Sequence, residues 1–135
     1  MEYTYTRHML LTIDTSDRKP IYQQVADGIR ALIARGELQE GAALPPVRQL
    51  AADLGVNLNT IAVAYRELQS DGLLTVKHGS GAIVTSRRAV EHSAEELRRP
   101  LRGALTQMVL AGMSRAKILS LVGDELGQLM KGAKG

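Results

Sequence analysis

The sequence predicts a mainly α-helical protein with a small β-hairpin wing: a winged helix-turn-helix followed by a C-terminal helical dimerisation segment. Two short amphipathic helices are joined only by Gly55 and Val56, so they must cross at a wide angle rather than lie side by side. Two β-prone runs then flank a Gly-containing turn at residues 77–81, a pattern typical of a hairpin.

Length and composition limit the architecture and the chemistry. The 135 residues suffice for one domain with an appendage, divided here into an N-terminal arm (1–17), a winged helix-turn-helix (18–88) and a two-helix dimerisation region (89–135). The chain has no Cys, Phe or Trp, so its core must be largely aliphatic, and it has neither a disulfide nor a thiolate metal site. The net charge of +3 is a weak indication of a polyanionic partner. No signal or membrane segment is evident, which favours a cytoplasmic protein without a membrane partner.

Three helices are predicted in the first domain. Pro20 opens the first and Gly36 ends it; between them one face is apolar. Pro45 opens the second, and Gly55 supplies the positive φ that ends it. Asn57 then caps the third. The apolar stripes are, for the first helix, Ile21, Val25, Ile29, Leu32 and Ile33; for the second, Val47, Leu50, Ala51 and Leu54; and for the third, Ile61, Ala64, Tyr65 and Leu68. Residues 37–44 are predicted to be a loop.

The third helix presents small polar residues at its start, which suits a helix that reads bases in the major groove. Asn can pair with adenine, Thr with several bases or with phosphate, and a small apolar side chain can meet a thymine methyl. A hairpin tip carrying Lys and His can lie on the backbone or over the minor groove. The predicted DNA contacts are Arg48, Asn57, Leu58, Asn59, Thr60, Val63, Arg66, Lys77, His78, Gly79 and Ser80.

Several motifs together resemble the DNA-binding domain of GntR-family bacterial transcriptional regulators over roughly residues 18–86. They are Pro20-Ile21-Tyr22-Gln23-Gln24, Gly36-Glu37-Leu38, Leu44-Pro45-Pro46-Val47-Arg48-Gln49-Leu50-Ala51, Gly55-Val56-Asn57-Leu58-Asn59-Thr60, Leu68-Gln69-Ser70-Asp71-Gly72-Leu73-Leu74 and His78-Gly79-Ser80-Gly81. The short C-terminal region is similar to that of the YtrA subfamily.

This resemblance implies a regulator, most simply a repressor, that binds double-stranded operator DNA. Arg48 fits the Arg of the family's Leu-Pro-x-x-Arg motif, and His78 and Gly79 fit the tip of the wing. Asn57, Asn59 and Thr60 fit the polar front of the recognition helix. Leu58 and Ala62 stand where many relatives have Arg, so the resemblance does not transfer any particular operator sequence.

The C-terminal region has two apolar stripes that it cannot bury by itself. A second copy of the chain would cover them and give a two-fold dimer, whose two recognition helices read a pseudo-palindrome; the alternative is that the tail completes a monomeric core. Pro100 is expected to kink the first tail helix or to mark its first turn near Arg99. The predicted dimer contacts are Leu97, Leu101, Leu105, Val109, Ile118, Val122, Leu126 and Leu129.

Two segments have alternative interpretations. The first 17 residues are expected to form a disordered arm, although Leu10–Asp14 could instead form a short strand or dock on the domain. Arg87 and Arg88, after the hairpin, either reach the phosphate backbone or solvate a linker.

The sequence gives no support to an enzyme. His8, His78 and His92 lack metal-ligand spacing, and no nucleophile motif or phosphate loop is present, so no metal or cofactor is expected. The alternative function is a winged-helix module that binds protein without reading DNA sequence. A small-molecule effector, if the protein has one, would bind between the tail and the DNA-binding domain.

Overall fold

The computed structural model describes residues 11–77, 81–89 and 93–130. Within these ranges the chain forms five helices and three strands. In order they are α1 (Ile21–Ala34), β1 (Ala43–Leu44), α2 (Val47–Leu54), α3 (Leu58–Ser70), β2 (Leu74–Lys77), β3 (Gly81–Val84), α4 (Ala94–Leu110) and α5 (Arg115–Leu129). The mainly helical winged helix-turn-helix with C-terminal helices is therefore confirmed.

The core lies among α1, α2, α3 and the sheet. The apolar face predicted for each helix points inward, and no polar or charged residue is buried among the described residues. Tyr65 is the one aromatic residue in this core, as expected for a chain without Phe or Trp. The buried side chains of the core are Val25, Ala26, Ile29, Leu32, Ile33, Leu38, Leu44, Leu50, Ala51, Ile61, Ala64, Tyr65, Leu68, Leu73, Leu74, Ala82 and Val84, and Pro45 is also buried.

Local chemistry ends and starts the helices where the sequence predicted. Gly55 has a φ of 70°, and the N–H groups of Gly55 and Val56 return to the last carbonyls of α2, which closes the helix and turns the chain. The side chain of Asn57 then accepts a hydrogen bond from the N–H of Asn59 at 2.7 Å and caps α3. These two residues place the start of α3 beside α2.

The sheet has the order β1-β3-β2 and is antiparallel throughout. Its third strand corrects the prediction that residues 37–44 form only a loop, because Ala43 and Leu44 pair with Ile83 and Ala82. A two-residue strand has too few positions to show a period of two, so the sequence pattern could not reveal it. The extra strand joins the wing to the entrance of α2.

Part of the predicted N-terminal arm packs on α1, which agrees with the docking alternative for its described residues. The side chain of Leu11 lies directly over Gly28, and Ile13 also contacts the core. Gln24 accepts a hydrogen bond from the N–H of Asp14 at 2.8 Å, and its amide donates to the carbonyls of Asp14 and Lys19. Residues 1–10 of the arm lie outside the described residues.

One buried hydrogen bond ties α3 to the chain entering α2. The hydroxyl of Tyr65 donates to the carbonyl oxygen of Pro45 at 2.7 Å. We expect Tyr65→Phe to lower the free energy of unfolding by about 1–2 kcal/mol, because it removes the hydroxyl and leaves a buried acceptor unpaired. Urea denaturation followed by circular dichroism measures this; an unchanged midpoint would show that the bond contributes nothing net.

The C-terminal helices are capped but bury no side chain. Ser93 and Glu96 form a reciprocal capping box at the start of α4, and Ser114 caps α5. Of the two alternatives for Pro100, a first turn near Arg99 is wrong, because α4 begins at Ala94 and continues through Pro100. The capping box nucleates the helix upstream of the proline, so the chain tolerates one missing N–H bond at that point.

Candidate nucleic-acid interface

The outer face of α3 carries the predicted recognition residues. Asn59 and Arg66 are exposed, while Thr60 and Val63 are half-buried between this face and the core. Leu58, in the first turn, leaves 42% of its surface in solvent. An apolar side chain this exposed at the tip of a helix is available for a partner rather than for the core.

A groove of about 310 Å³ joins three of the predicted contacts on one concave surface. Arg48, at the start of α2, Leu58, at the start of α3, and Lys77, at the end of β2, all line it. Its remaining lining residues are Pro46, Val47, Val76 and Gly81. The groove thus combines two cations with an apolar floor, which suits a nucleic-acid strand with its phosphates at the cations and its sugars or base methyls on the floor.

The charged and amide groups of this surface are unoccupied by the protein itself. Within the described residues, the side chains of Arg48, Asn59 and Lys77 form no ion pair or hydrogen bond, and the same holds for Arg66. Several cations elsewhere are paired, as Lys19 is with Asp27 at 2.9 Å and Arg35 is with Glu37 at 2.7 Å. Free donors gathered on one face can bind an external anion without first breaking an internal contact.

Asn57 has a structural task that restricts its part in recognition. Its side-chain oxygen accepts the capping bond from Asn59, so it is turned back to the helix. A bidentate contact with adenine uses both the oxygen and the amide of an asparagine. Asn59, whose side chain makes no such bond, is therefore the better base-reading candidate of the two.

The wing is fastened to the recognition helix by a side chain that the sequence analysis overlooked. Gln69, near the end of α3, accepts a hydrogen bond from the N–H of Val76 at 2.8 Å. Val76 lies next to Lys77 on β2, so this bond fixes the wing relative to α3. The predicted contacts His78, Gly79 and Ser80, at the wing tip, lie outside the described residues.

An ionic cluster on the opposite end of α3 was also missed. Arg30 of α1 donates to Asp71 at 2.7 Å, to Asp27 at 2.9 Å and to Glu67 at 3.3 Å. Partial burial lowers the pKa of Arg30, but the hydrogen bond and charge of Asp71 outweigh it and the pKa is raised. For Asp27, burial raises the pKa of the carboxyl group, but hydrogen bonds from Lys19 and Gln23 lower it by more, so the pKa lies below its usual value. The cluster links α1 to the C-terminal end of α3, the recognition helix.

Arg87 is anchored to the domain, which contradicts the alternative that it solvates a linker. Its guanidinium donates to the carbonyl oxygens of Ala34 at 2.8 Å and Ile33 at 3.3 Å, at the end of α1. A cation there also interacts favourably with the helix dipole. Arg88 is exposed, and its side chain makes no hydrogen bond or ion pair within the described residues.

Residues 11–77, 81–89 and 93–130 contain no group of three or more His, Asp or Glu that could hold a metal ion. None of the helices searched there is both long enough and apolar enough to cross a membrane. The fold and the groove together define a DNA-binding protein of the winged-helix class.

Comparison with known proteins identifies the family. Residues 21–84 match the model of bacterial regulatory proteins, gntR family. The solved structure of YtrA from Sulfolobus acidocaldarius, a GntR-family transcription factor, is 40% identical, with 71% of this chain and 97% of that one aligned at a TM-score of 0.58. The chain belongs to the GntR family of DNA-binding transcriptional regulators, and within it to the YtrA-like subfamily.

Two other relatives extend over nearly the whole chain. The transcriptional repressor YtrA of Bacillus subtilis is 27% identical over 128 aligned positions, in an alignment that covers 93% of this chain and 98% of that one. A structure from Listeria monocytogenes, described as a transcriptional antiterminator, aligns with 90% of this chain and 92% of that one at 27% identity and a TM-score of 0.77. The similarity therefore includes the two C-terminal helices as well as the DNA-binding domain.

Proposed function

We propose that the protein is a sequence-specific repressor that binds a pseudo-palindromic operator as a homodimer. The groove that brings Arg48, Leu58 and Lys77 onto one surface is the observation that carries this proposal. The full-length similarity to a Bacillus subtilis protein described as a repressor supports the direction of regulation. Such a regulator acts in the cytoplasm, where bacterial DNA lies.

On this surface, different side chains supply the affinity for DNA and the specificity for its sequence. Arg48 and Lys77, which both line the groove, neutralise phosphates, and Arg66 adds a third cation farther along α3. Asn59 offers a donor and an acceptor to an adenine edge, while Leu58 offers an apolar contact to a thymine methyl. Thr60 and Val63 border these two contacts, and the wing tip, His78 to Ser80, completes the proposed surface.

The uncovered apolar face of the tail supports the proposed homodimer. Leu97, Leu101 and Val109 of α4 expose 59%, 51% and 62% of their surface, and no residue of either tail helix is buried. Apolar area of this kind is stabilised by a partner, and a second copy offers the same stripe in return. The proposed interface consists of Leu97, Leu101, Leu105, Val109, Ile118, Val122, Leu126 and Leu129.

A dimer extends the stretch of DNA that the protein contacts. One recognition helix contacts only a few base pairs, whereas two related by a two-fold axis read half-sites about 10 base pairs apart. Phosphate neutralisation supplies much of the affinity, so binding falls steeply as salt rises. A module that binds only protein would not need unpaired cations beside an exposed asparagine.

Substitutions on this surface test the proposal directly. We expect Arg48→Ala or Asn59→Ala to weaken operator binding by about 1–3 kcal/mol, since each removes a contact to backbone or base. An operator selected from random duplexes, or found by footprinting upstream of the chain's own gene, serves as the probe in fluorescence anisotropy at fixed salt.

Ser70→Ala is the control variant. It changes an exposed residue at the far end of α3 and should bind like the wild type. Sedimentation should show the same assembly for every variant, because none of these residues lies in the tail. Full operator affinity in both Arg48→Ala and Asn59→Ala would refute the assigned surface.

A further inference from the structure

Leu58 is an exception among the apolar residues of the DNA-binding domain. Within residues 11–77 and 81–89 it is the one large apolar side chain that is exposed, and the others of the described chain lie in the tail helices. It stands in the first turn of α3, the proposed recognition helix. Single exposed apolar residues are common on protein surfaces, so Leu58 becomes informative only through its surroundings.

The surroundings of Leu58 form an apolar floor in the groove described above. Pro46 and Val47 at the start of α2 and Val76 of β2 line the groove together with Leu58. Val47 and Val76 pack against the core but are only half-buried, so part of each side chain stays open to the groove. The hydrogen bond from the N–H of Val76 to Gln69 holds β2 beside α3. Four apolar side chains from three elements thus share one surface.

The polar side chains of the groove are hydrogen-bond donors. Arg48 and Lys77 line it, and no Asp, Glu, Asn, Gln, Ser or Thr is among its described lining residues. Neither cation has a lone pair for the exocyclic amino group of cytosine or adenine, whereas both suit the phosphate oxygens of a strand that enters the groove. The floor can therefore distinguish one base from another only by apolar contact.

The major-groove edge of duplex DNA offers one apolar group to such a floor, the 5-methyl group of thymine. A 5-methylcytosine carries the same group at the same position of the ring. Burial of one methyl group strengthens binding by about four-fold, which becomes about 15-fold when a dimer covers one in each half-site. A contact of this size is enough to select a base.

We propose that Leu58 is a specificity-determining residue that reads the 5-methyl group of a pyrimidine in each half-site. Pro46, Val47 and Val76 complete the apolar surface that covers the methyl group. The contact recognises the methyl group and not the rest of the base, so thymine and 5-methylcytosine satisfy it while uracil and cytosine do not. Operator binding then responds to cytosine methylation as well as to sequence. The inference rests on the proposed sequence-specific repressor.

Bases that differ by one methyl group provide the test. Selection from random duplexes defines the half-site, and each of its thymines is replaced in turn by uracil in both half-sites. At one position we expect the affinity, measured by fluorescence anisotropy at fixed salt, to fall about 15-fold. At that position 5-methylcytosine paired with guanine should bind about 15-fold more tightly than cytosine paired with guanine. Uracil outside the half-sites should change nothing.

Variants of Leu58 separate reading from a structural role. Leu58→Ala should reduce both methyl effects to about two-fold or less, because most of the covering surface is gone. Leu58→Met restores a long apolar side chain and should retain them. A purely structural role would lower the affinity for duplexes with and without the methyl group by the same factor. Alanine favours a helix and Leu58 is exposed, so Leu58→Ala should keep the wild-type melting temperature.

Val63→Ala is the matched control, because it removes another apolar side chain from the outer face of α3. It should keep the methyl effect at the position assigned to Leu58. A methyl effect that survives in Leu58→Ala would overturn the inference.

The remaining failures are distinguishable. A half-site that contains no thymine, or one that tolerates uracil at every position, overturns this inference alone. A methyl effect in only one of the two pairs of bases also overturns it, because the groove would then read the whole base. Selection that returns no preferred sequence would overturn the proposed repressor, and this inference with it.

Discussion

Replacing Leu101 and Val109 with lysine should convert the protein to a monomer and lower its affinity for a two-half-site operator by at least about 100-fold. Both side chains are more than half exposed on α4, within the stripe proposed to face a second copy. Charges there would be desolvated by association, so the dimer is lost. The affinity then loses the gain from linking two binding modules, typically 10²–10⁴-fold. Analytical ultracentrifugation and anisotropy on the same samples measure both effects.

A matched control tests whether the apolar stripe is responsible. Gln107→Lys adds a cation to the same helix on its polar side and should leave both assembly and operator binding unchanged. Binding of the double variant to a single half-site should also be normal, because the DNA-binding domain is untouched. A double variant that still sediments as a dimer would refute the tail interface.

Gly81→Ala should lower the free energy of unfolding by about 3 kcal/mol or more, the largest stability effect we expect for a single methyl group. Gly81 begins β3 with a φ of 85°, and a Cβ there would lie 2.4 Å from the backbone oxygen of Leu44. Backbone on both sides must shift to relieve that contact. Because Gly81 pairs with Lys77 and lines the groove, the variant should also lose operator affinity. Chemical denaturation and anisotropy report the two losses.

Gly55→Ala isolates the part due to backbone conformation. Gly55 has a φ of 70°, but apart from Gly55 itself and its two chain neighbours no heavy atom of the described residues lies within 4 Å of the position its Cβ would take. We expect a loss of about 1 kcal/mol, the cost of holding an L-residue in the left-handed region. The difference between the two alanine variants measures the steric contact at the base of the wing. Equal losses would show that the close approach to Leu44 costs nothing.

Periodic and local signals made most of the fold predictable. The buried stripes of α1, α2 and α3 follow helical spacing, and Gly55 and Asn57 act within one turn of their own positions. The hairpin and the Ser114 cap of α5 were predictable for the same reason. The start of α4 was left open, because Pro100 is compatible with either a kink or a first turn, and the capping box formed by Ser93 and Glu96 decides between them.

What the sequence could not reveal depends on contacts between distant residues. Arg87 bonds to carbonyls more than fifty positions earlier, and Arg30 bonds to Asp71 forty-one positions later. Neither contact has a period or a motif, and a backbone carbonyl acceptor carries no residue identity at all. For the candidate site, residue types suggested the surface, but only the fold brings Arg48, Leu58 and Lys77 to one groove.

The hydrogen bond from Val76 to Gln69 has a consequence for the solubility of the protein. β2 is an outer strand of the sheet, and the free N–H groups of such strands invite another polypeptide to add itself and start aggregation. At Val76 that group is already satisfied by the protein's own glutamine. The wing can therefore project toward solvent, because the N–H of Val76 on its outer strand is not available to pair with a strand of another molecule.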